Sequence, residues 1–105
     1  MSQHHFPAPV AGNTLPVTVG YDPQLAEFFA MTHPALEDTE FTSMPTGSMD
    51  ALEAELLAKV GVTIPEAIKN AVLGDYADFR LGASDVGRRV FQYDAMGAVV
   101  EAAVL

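Results

Sequence analysis

The 105-residue chain has no cysteine and no tryptophan, and no lysine or arginine before Lys59. Without cysteine there is no disulfide framework, no thiolate metal site and no thiol nucleophile, which fits a reducing compartment. No apolar run approaches the roughly 18 residues of a membrane span. The opening stretch MSQHHFPAPVAGN lacks the basic region and long apolar segment of a secretory signal. A cytoplasmic protein without membrane association is the expectation.

Basic residues are scarce, and the scarcity is uneven. Eight acids precede Lys59, whereas from Lys59 onward six acids face five bases, for a net charge of −9. A chain with no basic stripe is poorly suited to phosphate backbones, whose attraction depends on clustered Lys and Arg. Nucleic acid is therefore not an expected partner. Solubility is the simplest role for such charge. A sharper reading is an acidic surface that meets a basic protein or imitates nucleic acid.

What the chain does have is apolar residues, at half of its length, in a size suited to one modest core. Residues 1–13 hold Pro7, Pro9, Gly12 and Asn13 without a sustained period, and read as a flexible arm before a single domain at 14–105. His4 and His5, adjacent on such an arm, make a poor fixed metal site.

TLPVTVGY (14–21) alternates Leu15, Val17, Val19 and Tyr21 on one face, which predicts a strand. Residues 23–33 admit two readings. Asp22 and Pro23 suit the start of a helix, and they equally suit a turn leading into a second strand. The strand is preferred, because a short aromatic segment directly after a strand makes an easy hairpin. It would carry Phe28 on one face and Phe29 on the other. Helices cover one side of the sheet in a small α+β domain, so the second face would need a partner. Self-association is the simplest source of one. The expected interface is Phe28, Phe29 and the nearly uncharged AVVEAAVL strand, represented by Val99 and Val104.

EFTSM (40–44) is a further short strand. In the next segment Met49, Leu52, Leu56 and Val60 form a helical stripe, with Ser48 as cap and Gly61 as stop. A second helix begins near Ile64, where Thr63 and Glu66 have capping-box spacing. Its stripe runs through Ile68, Val72 and Tyr76, and Gly74 is a candidate terminus. RRVFQYDAMGAVVEAAVL reads as a β-hairpin turning at Asp94 and Gly97. The architecture expected is α+β: a small antiparallel sheet of four or five strands with a helical hairpin packed on one face.

Chemical motifs are near misses. GASDVGRR has the glycine spacing of a phosphate loop, but arginines stand where Lys and Ser or Thr are required. Gly82-Ala83-Ser84 begins a nucleophile elbow that Val86 interrupts. Arg80, Arg88 and Arg89 could bind an anion, but pairing with the acidic N-terminal half of the chain is the expectation. His33 with Glu37, Asp38 and Glu40 is the best candidate for metal or acid–base work. Pro34 and the irregular acid spacing favour a solvated turn, so neither a metal nor another cofactor is expected. Tyr21, His33, Tyr76 and Arg80 could line a pocket between sheet and helices, which leaves a small enzyme or ligand carrier as the alternative function. The leading reading is a protein-interaction or structural module acting as a homodimer.

Overall fold

A computed structural model describes residues 1–32, 40–45 and 49–105, with the backbone alone for 40–45. The elements in chain order are β1 (Gln3–Val10), β2 (Asn13–Asp22), β3 (Glu27–Thr32), β4 (Glu40–Pro45), α1 (Met49–Val60), α2 (Glu66–Arg80), a short 3-10 turn (Val86–Arg88), β5 (Arg89–Tyr93) and β6 (Val99–Val104). The strands form one sheet in the order β4-β3-β2-β1-β5-β6, antiparallel throughout except for β1 and β5. The α+β class stands, with both helices on the sheet.

The sheet has six strands because the expected arm is one of them. Residues 3–10 are not peripheral: β1 lies between β2 and β5, and alternate residues Ser2, His4, Phe6 and Ala8 are buried. The prolines that suggested an arm occupy places where a strand tolerates them. A two-residue turn at Ala11 and Gly12, both at positive φ, joins β1 to β2 and makes Val10 and Asn13 a hydrogen-bonded pair. By alternation Pro7, Pro9 and Pro16 fall on the pairs that exchange no β1–β2 hydrogen bond. Pro7 and Pro9 lie beyond the Gln3–His5 segment that pairs with β5, and Pro16 lies beyond the first β2–β3 pair at Val17 and Thr32. Among the described residues no ladder bond is lost at any of the three.

Residues 27–32 form a strand, as preferred, with Tyr21 opposite Phe28 and Gly20 opposite Phe29. Phe28 faces the helices with Val17, Val19, Tyr21 and Ala30, while Phe29 lies on the opposite face. The Phe29 ring sits over Gly20, where a side chain would strike it.

Helix α1 buries Met49, Leu52 and Leu56 and ends at Gly61, which adopts a left-handed φ of 73°. Its expected cap, Ser48, lies outside the described residues. Helix α2 starts at Glu66 behind Pro65, and the expected Thr63–Glu66 capping box does not form. Glu53 of α1 replaces it. Its carboxylate accepts the Ile64 N–H at 3.0 Å and holds Lys69 at 3.1 Å, tying the two helices together. Helix α2 also runs through Gly74 to Arg80, because Asp75 continues the buried stripe of Ile68 and Val72 and is anchored there. No helix among the described residues is long and apolar enough to cross a membrane.

Two glycines separate close approach from open space. A Cβ on Gly20 would stand 1.9 Å from the Ser2 carbonyl oxygen and 2.9 Å from the Phe29 ring, whereas one on Gly74 meets nothing within 4 Å. Gly20→Ala is expected to cost about 3 kcal/mol by forcing β1 away from β2. Gly74→Ala should stabilise α2 by about 0.8 kcal/mol. Urea unfolding midpoints of the two variants should therefore move in opposite directions.

Candidate functional site

Three features concentrate polar or apolar chemistry: a buried histidine network, a cleft beside an aromatic cluster, and the free edge of β6.

His4 is 0% exposed, and its ring stacks on Phe91 with centroids 4.8 Å apart. Its Nε2 lies 2.6 Å from Asp75 Oδ2 and its Nδ1 lies 2.6 Å from the Tyr93 hydroxyl. A carboxylate only accepts, so Nε2–H donates to Asp75 and, in the neutral ring, the Tyr93 O–H donates to Nδ1. The other Asp75 oxygen accepts from Arg89 at 3.1 Å. Arg89 also reaches Asp78 at 2.7 Å and takes Asp85 in a two-pronged contact at 3.0 and 3.2 Å. The hydrogen bonds that Arg89 donates to Asp85, and next those to Asp78, hold the guanidinium proton more tightly than usual. In return, hydrogen bonds from Arg89 lower the Asp85 carboxyl pKa.

An acid, an imidazole and a hydroxyl in line are the parts of a proton relay, but two observations oppose catalysis here. Tyr93 is only 7% exposed, so a substrate has no approach. Burial first, and the Asp75 charge second, push the phenol up to about 12, opposite to the activation a nucleophile needs. The network fastens β1, α2 and β5 to one another.

Tyr21, Tyr76 and Arg80 are brought together as expected. The two tyrosine rings meet edge to face at 5.2 Å, and Arg80 donates to the Tyr76 hydroxyl at 2.9 Å. Phe28 and Phe79 fill the space around Tyr21, so the two tyrosines belong to an aromatic cluster with the exposed Arg80 at its rim, and none of the three lines the clefts described next. His33 lies outside the described residues, as do Glu37 and Asp38, and the Glu40 side chain is likewise not described. The cleft itself lies alongside, between the β2–β3 turn and the α2–β5 connection. It holds about 610 Å³ and is lined by Asp22, Pro23, Phe79, Ser84, Val86 and Arg88, among others. A smaller hollow of about 270 Å³ lies near His5, Pro7, Pro16, Thr18 and Gln92. Among the described residues, no group of three or more His, Asp or Glu side chains could hold a metal ion.

The expected interface divides. Phe28 and Phe29 are both buried within the single chain, so neither is a contact surface. Val99 and Val104 are exposed, as is every residue of β6. Val100, which sequence reasoning did not single out, is the most exposed of the β6 valines at 68%.

No protein-family model, curated protein or solved structure matches the chain.

Asp75 and Tyr93 generate the expected chemistry of this region. Asp75→Ala leaves His4 and Arg89 without their shared buried acceptor and should cost about 3 kcal/mol. Tyr93 has its folded pKa raised above the ordinary value near 10, so its contribution is complete below pH 10 and is lost as pH rises through 12. Wild-type stability should fall by about 2 kcal/mol across that window, by the linkage between a raised pKa and pH. Tyr93→Phe, less stable at neutral pH, should lack this component. Chemical denaturation at a series of alkaline pH values measures both.

Proposed function

We propose that the protein is a protein-interaction module, acting as a homodimer, whose contact surface is the free edge of β6. The observation that supports this reading is the edge itself. Its side chains are Val99, Val100, Glu101, Ala102, Ala103 and Val104, all exposed, with one charge among them. Edge strands of monomeric proteins are ordinarily guarded by lysines, prolines or a covering element, since their unpaired N–H and C=O groups accept another strand. β6 carries neither lysine nor proline.

Much of the acidity is used internally. Asp75, Asp78 and Asp85 pair with Arg89, Glu53 and Glu66 with Lys69, and Glu55 with Lys59. This takes support from a reading in which the acids imitate nucleic acid toward a basic partner. The ligand-carrier reading draws on the cleft, whose size falls within the range of small-molecule pockets.

Light scattering at tens of micromolar tests the homodimer. The wild type is expected at twice the 11.2 kDa of one chain. The double variant Val100→Lys/Val104→Lys, which alters only exposed side chains, should run as a monomer with an unchanged circular dichroism spectrum. A monomeric wild type would leave the cleft as the better-supported site.

A further inference from the structure

We propose that the cleft between the β2–β3 turn and the α2–β5 connection binds a small zwitterion with an apolar body, Asp22 holding its ammonium and Arg88 its carboxylate. The inference goes beyond the homodimer and does not depend on it.

The cleft, at about 610 Å³, has the size of a small-molecule site. Pro23, Phe79 and Val86 give it apolar walls. Among the described residues, Asp22 and Arg88 are the only charged side chains lining it, one of each sign. They form no ion pair with each other, so two opposite charges border one space without neutralising one another.

Local structure accounts for their separation. Asp22 Oδ1 accepts the Gln24 N–H at 3.0 Å, which ties the carboxylate to the β2–β3 turn. Arg88 belongs to the 3-10 turn, where its N–H donates to the Asp85 carbonyl at 2.9 Å. Asp75, Asp78 and Asp85, on the adjoining helix and loop, are all taken by Arg89. The Arg88 guanidinium is left in no ion pair with a described residue. The Met1 nitrogen, which also borders the cleft, donates to the Gly87 carbonyl at 3.1 Å.

The two signs select the ligand. A guanidinium presents a planar fork of N–H donors that fits a carboxylate. A phosphate ester or a dicarboxylate would satisfy Arg88 but meet repulsion from Asp22, and a simple amine would meet the reverse. A molecule with one charge of each sign satisfies both, while its apolar body covers Pro23, Phe79 and Val86. The Ser84 hydroxyl both donates and accepts, so it can serve either end of the molecule.

L-phenylalanine and aminohexanoate, which separate their two charges by a short and a long spacer, are the probes. Binding is followed by amide NMR shifts. At least one of the two is expected to saturate at or below about one millimolar, moving the amides of Phe79, Ser84 and Gly87. The matched compounds with one charge, phenethylamine and phenylpropanoate or hexylamine and hexanoate, should bind at least about ten-fold more weakly. Arg88→Gln and Asp22→Asn should each weaken the zwitterion by a similar factor. Asn keeps an oxygen for the Gln24 N–H, so the turn is retained, and an unchanged circular dichroism spectrum checks this. No saturation by either zwitterion would overturn the proposal. So would equal binding of the zwitterion and its carboxylate analogue, which would reduce the cleft to an anion site. Shifts confined to residues outside the cleft would also overturn it. Light scattering alone decides the homodimer, so a monomeric wild type leaves this proposal standing and a failed titration leaves the dimer standing.

Discussion

The short contact between His4 and Asp75 is the constraint on which the rest of this structure depends. It joins the second residue of β1 to the middle of α2, 71 positions away in the chain. Neither group belongs in an apolar core alone, since an unpaired buried polar group costs several times what a satisfied one contributes. Each is tolerated because the other is there. Tyr93 satisfies the second ring nitrogen and Arg89 the second carboxylate oxygen, so β5 is fixed by the same contact. Polar networks of this kind discriminate among packings more than they add stability, because a shifted register leaves a buried group unpaired.

Much of the architecture was legible in local patterns. Alternation marked β2, the helical stripes marked α1 and α2, and the Asp94–Gly97 pair marked the last hairpin. β1 was not legible, for a physical reason. In its buried alternation of Ser2, His4, Phe6 and Ala8 every residue except Phe6 is small or polar, and its prolines resemble those of a linker. What excuses those prolines is tertiary: β5 pairs only as far as His5. Asp75 carried a readable signal, a carboxylate within the buried stripe of α2. Its partner is hidden because His4 lies in a segment whose sequence reads as a flexible arm.

The same reasoning explains why the aromatic residues gave a mixed answer. Phe28 and Phe29 pointed correctly to a strand with two apolar faces. They did not mark a surface, because Gly20 opposes Phe29 and its lack of a side chain gives the ring a place to lie. The adjacent arginines show a comparable division that residue type alone cannot reveal. Arg89 is bound by three carboxylates, whereas Arg88 stands at the cleft with its guanidinium in no ion pair with a described residue.

The parallel pairing of β1 with β5 has a consequence for synthesis. At translation rates of about 5–20 residues per second, β1 and β2 are made several seconds before β5. Throughout that interval the outer side of β1 is an open template for neighbouring nascent chains. Pro7 and Pro9 lie on that side and offer no N–H, so half of the template is disarmed before its proper neighbour arrives. Prolines that donate no hydrogen bond to the finished sheet likewise offer no donor to a neighbouring strand before β5 is in place.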